Sequence, residues 1–191
     1  LPTADKIVIM PTWRPWEIAR AHGNFLETGY CKMITQMLEA LPPHLQQKTM
    51  ILPHPLVSRQ LEQLPKSLTE KMVLNRPYDE VLQETAVLIT DYSSIAYDAF
   101  YRGARVIFDW SEKDVCMEAY GPNTKLMLNE TNVFGDVIYG SGQLAEVIEE
   151  NYKNPQRAEY QKRYARLVEF QDGNNTKRLM ELLKKDGIFA F

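Results

Sequence analysis

Histidine and cysteine are scarce in this sequence: three and two residues among 191. The cysteines, Cys31 and Cys116, are too few for a disulfide framework and lack metal-ligand spacing. Cys31 falls in an amphipathic helical run and reads as a core thiol. No clustered acidic pair of metal-site type occurs, so neither a metal nor another cofactor is expected. No apolar run approaches the length of a membrane span, and no signal peptide is expected. The cytoplasm is the default compartment. An excess of positive charge is also missing. The formal net charge is −3, which argues against nucleic acid as the main partner. Internal repeats and low-complexity linkers are absent. The sequence opens on Leu1 rather than Met, so a piece of a longer protein is expected.

What is present suits a soluble globular domain. Apolar residues make up 45% and charged residues 25%. The length predicts a single domain over residues 1–191. Its organising stretch is Val87-Leu88-Ile89-Thr90-Asp91-Tyr92-Ser93-Ser94, followed by Ile95-Ala96-Tyr97-Asp98-Ala99-Phe100. The unbroken apolar run Val87–Ile89 predicts a strand covered on both faces of a parallel sheet. Asp91, Ser93 and Ser94 are N-cap residue types where the period changes to helical. Gly103 is expected at C′ of that helix. A strand feeding a helix N-terminus can hold an anion, and two hydroxyls there would add donors. A plain N-cap explains the same residues.

Strands are predicted at 6–10, 48–52, 71–74 and 105–109, with a short last one at 137–139. Helices are predicted over 25–41, 57–64, 77–85, 110–121, 141–148, from Asn154-Pro155 onward, and over 177–185. Residues 17–24, with His22, read as a loop, and 122–136 are the least regular part. His44 carries no signal. The alternation of strand and helix implies an α/β fold: a Rossmann-like parallel sheet with helices on both faces. Arg14 lies just past the first strand, at the edge where such sheets bind ligands. Its planar fork suits phosphate or carboxylate, and pairing to a nearby acid such as Glu17 is the alternative. His54 stands between Pro53 and Pro55, in a preset extended backbone. It either meets a ligand or caps a turn.

Four pieces occur in a set order: Pro11-Thr12-Trp13-Arg14, His54-Pro55, Ile89-Thr90-Asp91-Tyr92-Ser93-Ser94 with Asp98, and Asp172-Gly173 before the final helix. Together they resemble the C-terminal half of the CDP-glycerol glycerophosphotransferase family, which contains wall teichoic acid polymerases and related capsule polymerases. The resemblance implies the donor-binding half of a GT-B architecture. It implies transfer of glycerol phosphate from CDP-glycerol to a hydroxyl of a cell-surface polymer, with release of CMP. Carried over residue by residue, Arg14, His54, Ser93, Ser94 and Asp98 match the positions that hold CDP-glycerol, with His54 also stabilising charge as CMP departs. Asp98 would accept from a donor hydroxyl. An i,i+4 ion pair with Arg102 is its structural alternative.

The family's catalytic histidine lies in a Trp-His-Gly motif of the other half. No such motif occurs here, and His22 is not its counterpart. Leu52 stands where the family commonly has Arg or Lys, and Thr85-Ala86 replaces the usual Ser-Asp. The resemblance implies a polymer acceptor held by the missing half, and action at the inner membrane face. A nucleotide-sugar glycosyltransferase of the same architecture and a non-catalytic nucleotide-binding module are the rival readings.

Overall fold

Short runs of aliphatic residues form the five strands of one parallel sheet: β1 (Lys6–Ile9), β2 (Thr49–Ile51), β3 (Thr85–Thr90), β4 (Arg105–Asp109) and β5 (Asp136–Ile138). The computed structural model describes residues 4–20, 24–54 and 62–188. The strand order is β2-β1-β3-β4-β5, so the winding reverses between β1 and β3. Ile7 pairs with Val87, Val8 with Leu88 and Ile9 with Ile89. Every residue of β3 is buried, because a neighbouring strand covers each edge and helices cover each face.

Between and after the strands come α1 (Pro15–Arg20), α2 (Gly29–Glu39), α3 (Pro43–Gln46), α4 (Lys66–Thr69), α5 (Tyr78–Glu84), α6 (Ile95–Tyr101), α7 (Lys113–Tyr120), α8 (Leu144–Lys153), α9 (Ala158–Leu167) and α10 (Asn175–Lys185). Side chains alternate across a strand, so neighbouring residues feed opposite layers. Ile7, Ile9, Val87 and Ile89 pack with Met33, Ile34 and Met37 of α2 and with Leu144 and Ile148 of α8. Val8, Leu88, Val106 and Phe108 pack with Val81 and Leu82 of α5, Ala96 and Phe100 of α6, and Tyr164 of α9. The fold is the Rossmann-like α/β class that the alternation predicts.

The end of α6 follows its sequence signal. Gly103 takes φ +98 just past the C-cap Arg102. Its N–H donates to the Phe100 carbonyl, and the Ala104 N–H donates to the Ala99 carbonyl. This is the Schellman closure that glycine at C′ allows.

Four local expectations are corrected. Residues 17–20, expected within the loop 17–24, belong to α1: Pro15 opens it, where its missing N–H costs no bond. Residues 71–74 make only an isolated bridge, Met72 to Ile51, against a three-residue strand. Asn154 and the N-cap Arg157 are extended, so α9 starts at Ala158. The intervening Gln156 amide instead donates to the carbonyls of Phe100 and Ala104. Asp91 caps nothing at α6; it accepts from the backbone of the loop after β1. His22, Pro55 and most of the helix expected over 57–64 lie outside the described residues.

The irregular segment before β5 hides a core anchor. Phe134 is fully buried, with ring centroids 4.9 Å from Tyr97, 5.2 Å from Phe100 and 5.1 Å from Tyr164. Gly135 lets it approach β4. A Cβ at Gly135 would overlap the Val106 carbonyl oxygen and meet Phe108 Cε2 at 3.0 Å. Gly135→Ala therefore forces backbone apart and costs about 2 kcal/mol. A thermal melt should show a midpoint lowered by roughly 4–8 °C; an unchanged midpoint would refute this packing role.

Candidate functional site

A parallel sheet binds ligands at the carboxyl ends of its strands, where the strand order reverses. Here that crevice lies between the segment after β1, residues 10–14, and the segment after β3, residues 91–94. Asp91 ties the two together. Its Oδ1 accepts from the Thr12 N–H at 2.7 Å, the Thr12 hydroxyl at 2.6 Å and the Tyr92 N–H at 2.6 Å. The Trp110 indole donates to the Asp91 carbonyl at 3.2 Å. Burial pushes the Asp91 carboxyl above its ordinary range, against the pull of Thr12 and Arg14.

Beside this link a cavity of about 190 Å³ opens. Ser93, Ser94, Tyr97 and Trp110 line it, together with Lys125 to Leu128 from the loop after α7. A typical small-molecule site measures about 300–1,000 Å³, so this cavity suits part of a ligand. Ser94 is exposed and Ser93 half-buried. The tip of α6 is therefore open, but its backbone donors are largely taken. The N–H groups of Ala96 and Tyr97 reach the carbonyls of Ser93 and Ser94, and the Ile95 N–H points to Ser93 Oγ at 3.4 Å. The hydroxyls, not a helix dipole, are what the tip offers.

Arg14 sits behind the cavity rather than in it. It is 2% exposed, ion-paired to Glu112, 3.6 Å from Glu17 and 3.7 Å from Asp91. Its second terminal nitrogen lies 3.5 Å from the Met33 sulfur. Burial works against its charge, but Glu112, Asp91 and Glu17 outweigh it and raise its pKa. The pairing weighed from sequence, with Glu17, is present and is joined by two acids distant in the chain.

His54 follows β2 on the far side of the residue 10–14 segment. Its ring stacks on Trp13, centroids 5.7 Å apart and 13° from parallel, and its backbone N–H donates to the Tyr30 hydroxyl. Burial holds the imidazole below its usual pKa, which favours the neutral form at pH 7. Asp98 is exposed, with no ion pair to Arg102 among the described residues. It lies toward α9, where burial and then the Asp98 charge push the Tyr164 phenol up to about 12. Among the described residues the cavity joins Ser93 and Ser94; Arg14, His54 and Asp98 are not part of its lining. Lys125 and Tyr97, which do line it, escaped the sequence reading. Tyr97 lies in the first turn of α6, just after the serines, and could have been found by its four-residue spacing from Ser93. Nothing local marks Lys125.

No helix among the described residues is long and apolar enough to cross a membrane. The model of a family described as CDP-glycerol:poly(glycerophosphate) glycerophosphotransferase matches residues 2–185. The minor teichoic acid biosynthesis protein GgaB of Bacillus subtilis (strain 168) is 27% identical, over 91% of this chain and 21% of its own. The wall teichoic acid polymerase TagF superposes in one variant with a TM-score of 0.63 at 19% identity, over 97% of this chain and 44% of that one. Another TagF variant, soaked with CDPG, gives 0.57 at 19% identity, over 97% and 43%. At such identity the structural likeness shows the fold alone. The chain spans less than half the length of each of these relatives.

Proposed function

This chain belongs to the CDP-glycerol:poly(glycerophosphate) glycerophosphotransferase family, and from that premise we propose that it is the donor-binding domain of such a transferase. The reading treats residues 1–191 as one domain, the C-terminal half of a GT-B arrangement. The other half would supply the acceptor site and the general base. One observation carries the reading: Ser93 and Ser94 line a cavity at the carboxyl end of β3, beside the reversal in strand order. Hydroxyls donate well to ionised phosphate oxygens.

In the proposed reaction a polymer hydroxyl attacks the β-phosphorus of CDP-glycerol. A new O–P bond forms, and the bond from the β-phosphorus to the bridging oxygen breaks. CMP leaves with that electron pair, and the hydroxyl proton passes to the base. Ser93 and Ser94 hold the diphosphate. His54 donates to a phosphate oxygen as charge builds on CMP. Arg14 is a positioning residue: it pairs with Asp91, Glu17 and Glu112 and so fixes the two segments that frame the crevice. Asp98 takes no part in this reading. The names of GgaB and TagF support a teichoic acid type of acceptor. The reaction would run on the cytoplasmic side, at the membrane face.

Calorimetric titration of the chain with CDP-glycerol, CDP-ribitol and UDP-glucose tests this. CDP-glycerol should bind most tightly. Preference for UDP-glucose would move the assignment to a nucleotide-sugar glycosyltransferase, and binding of none of the three would remove the donor site altogether.

A further inference from the structure

A diphosphate brings about two negative charges, and the wall behind this cavity does not offset them. Arg14 faces Asp91, Glu17 and Glu112, one cation among three acids, so that cluster is net negative when its acids are ionised. Lys113 lies 4.4 Å from the Trp110 ring centroid, but its ammonium is held 2.6 Å from Glu130. Lys125 differs from both. It lines the same cavity as Ser93 and Ser94, and among the described residues it has no ion pair or hydrogen bond.

The loop that carries Lys125 is anchored on both sides of it. The Thr124 N–H donates to the Gly121 carbonyl and its hydroxyl to the Tyr120 carbonyl at 3.0 Å. Two residues on, the Met127 carbonyl accepts from the Asn132 amide at 2.9 Å. Asn132 is itself fixed, because its Oδ1 accepts from the Asn129 N–H at 2.7 Å. The backbone under Lys125 is thus set before any ligand arrives, which limits the ordering cost of using it.

We propose that Lys125 is a diphosphate-binding residue of this donor site, supplying from the loop after α7 the positive charge that Arg14 does not supply. This rests on the donor-site reading above. Ser93 and Ser94 grip one side of the diphosphate, and the Lys125 ammonium closes on its oxygens from the other. Its contribution is charge-assisted and partly exposed to solvent, so added salt weakens it.

The test is calorimetric titration of CDP-glycerol into the unaltered chain and into its Lys125→Met, Lys125→Arg and Lys162→Met variants, at low and high sodium chloride. Lys125→Met should bind about tenfold more weakly, on the scale of one charge-assisted bond. Lys125→Arg should stay within about threefold, because it keeps the charge. Lys162→Met, on the exposed side of α9, should bind as the unaltered chain does. The affinity of Lys125→Met should also fall less steeply with salt. All midpoints of thermal unfolding should stay put, since neither lysine is buried. If the unaltered chain binds CDP-glycerol and Lys125→Met binds equally well, this proposal fails while the donor site stands. An equal loss in Lys162→Met would reduce the effect to bulk charge and overturn it too. If the unaltered chain does not bind CDP-glycerol, the donor-site reading fails and takes this proposal with it.

Discussion

Arg14→Met should lower the midpoint of thermal unfolding by roughly 10 °C while leaving CDP-glycerol affinity within about threefold below that temperature. The first half follows from burial. The guanidinium is 2% exposed and pairs with Glu112, Glu17 and Asp91. Removing one partner of a buried ion pair costs about 3–5 kcal/mol, because the remaining charges stay desolvated and unpaired. In a domain of this size each kcal/mol moves the midpoint by roughly 2–4 °C.

The pH dependence carries a sign. In the variant Asp91, already pushed up by burial, loses the pull of Arg14, so its folded pKa rises further above the unfolded one. The penalty of keeping it ionised is then present at neutral pH and relieved as pH falls through its folded pKa. The gap between variant and unaltered chain should therefore narrow on going from pH 7 to pH 5. Arg14→Lys should recover only part of the loss, since an ammonium cannot reach three acids with one planar fork. An unchanged midpoint with binding abolished would return Arg14 to the role of phosphate clamp.

The double variant Ser93→Ala/Ser94→Ala should give the opposite pattern: CDP-glycerol affinity down about a hundredfold or more, and unfolding moved by less than about 2 °C. A hydrogen bond to a charged group contributes about 1.5–3 kcal/mol, so two of them account for that loss. The fold needs little from either hydroxyl. Ser94 makes no capping bond, and Ser93 Oγ accepts only a long one, 3.4 Å from the Ile95 nitrogen. Calorimetry and a thermal melt on the same preparation separate the two effects. Full affinity in the double variant would place the phosphate elsewhere and remove the main support for the donor site.

Much of this architecture was legible residue by residue. Val87–Ile89 marked the central strand, because an apolar run without alternation needs both faces covered. Gly103 marked the end of α6, because only glycine takes a positive φ there without strain. The alternation of strand and helix gave the parallel sheet, and the order of motifs gave the family. The misses were also local in origin. Residues 17–20 carry no helical period of their own, and only Pro15 at the first helical position marks the start of α1. Residues 154–157 carry helix-start signals, yet Gln156 binds the end of α6 and holds them extended. Phe134 gave no periodic signal, because a single anchor in an irregular segment has no period.

Capping, turns and amphipathic faces are settled within about four residues, so the chain alone determined where most of its elements lie and marked Ser93 and Ser94 as candidates for phosphate chemistry. Which charges meet was decided only by the crossovers. Arg14 and Glu112 lie 98 positions apart, and Thr12 and Asp91 lie 79 apart. No pattern in the sequence says that Glu112 and Asp91 would join Glu17 at Arg14, while Lys125 would arrive at the cavity with no partner among the described residues. Coulomb attraction falls with distance and rises with burial, and both are properties of the folded sheet rather than of any stretch of chain.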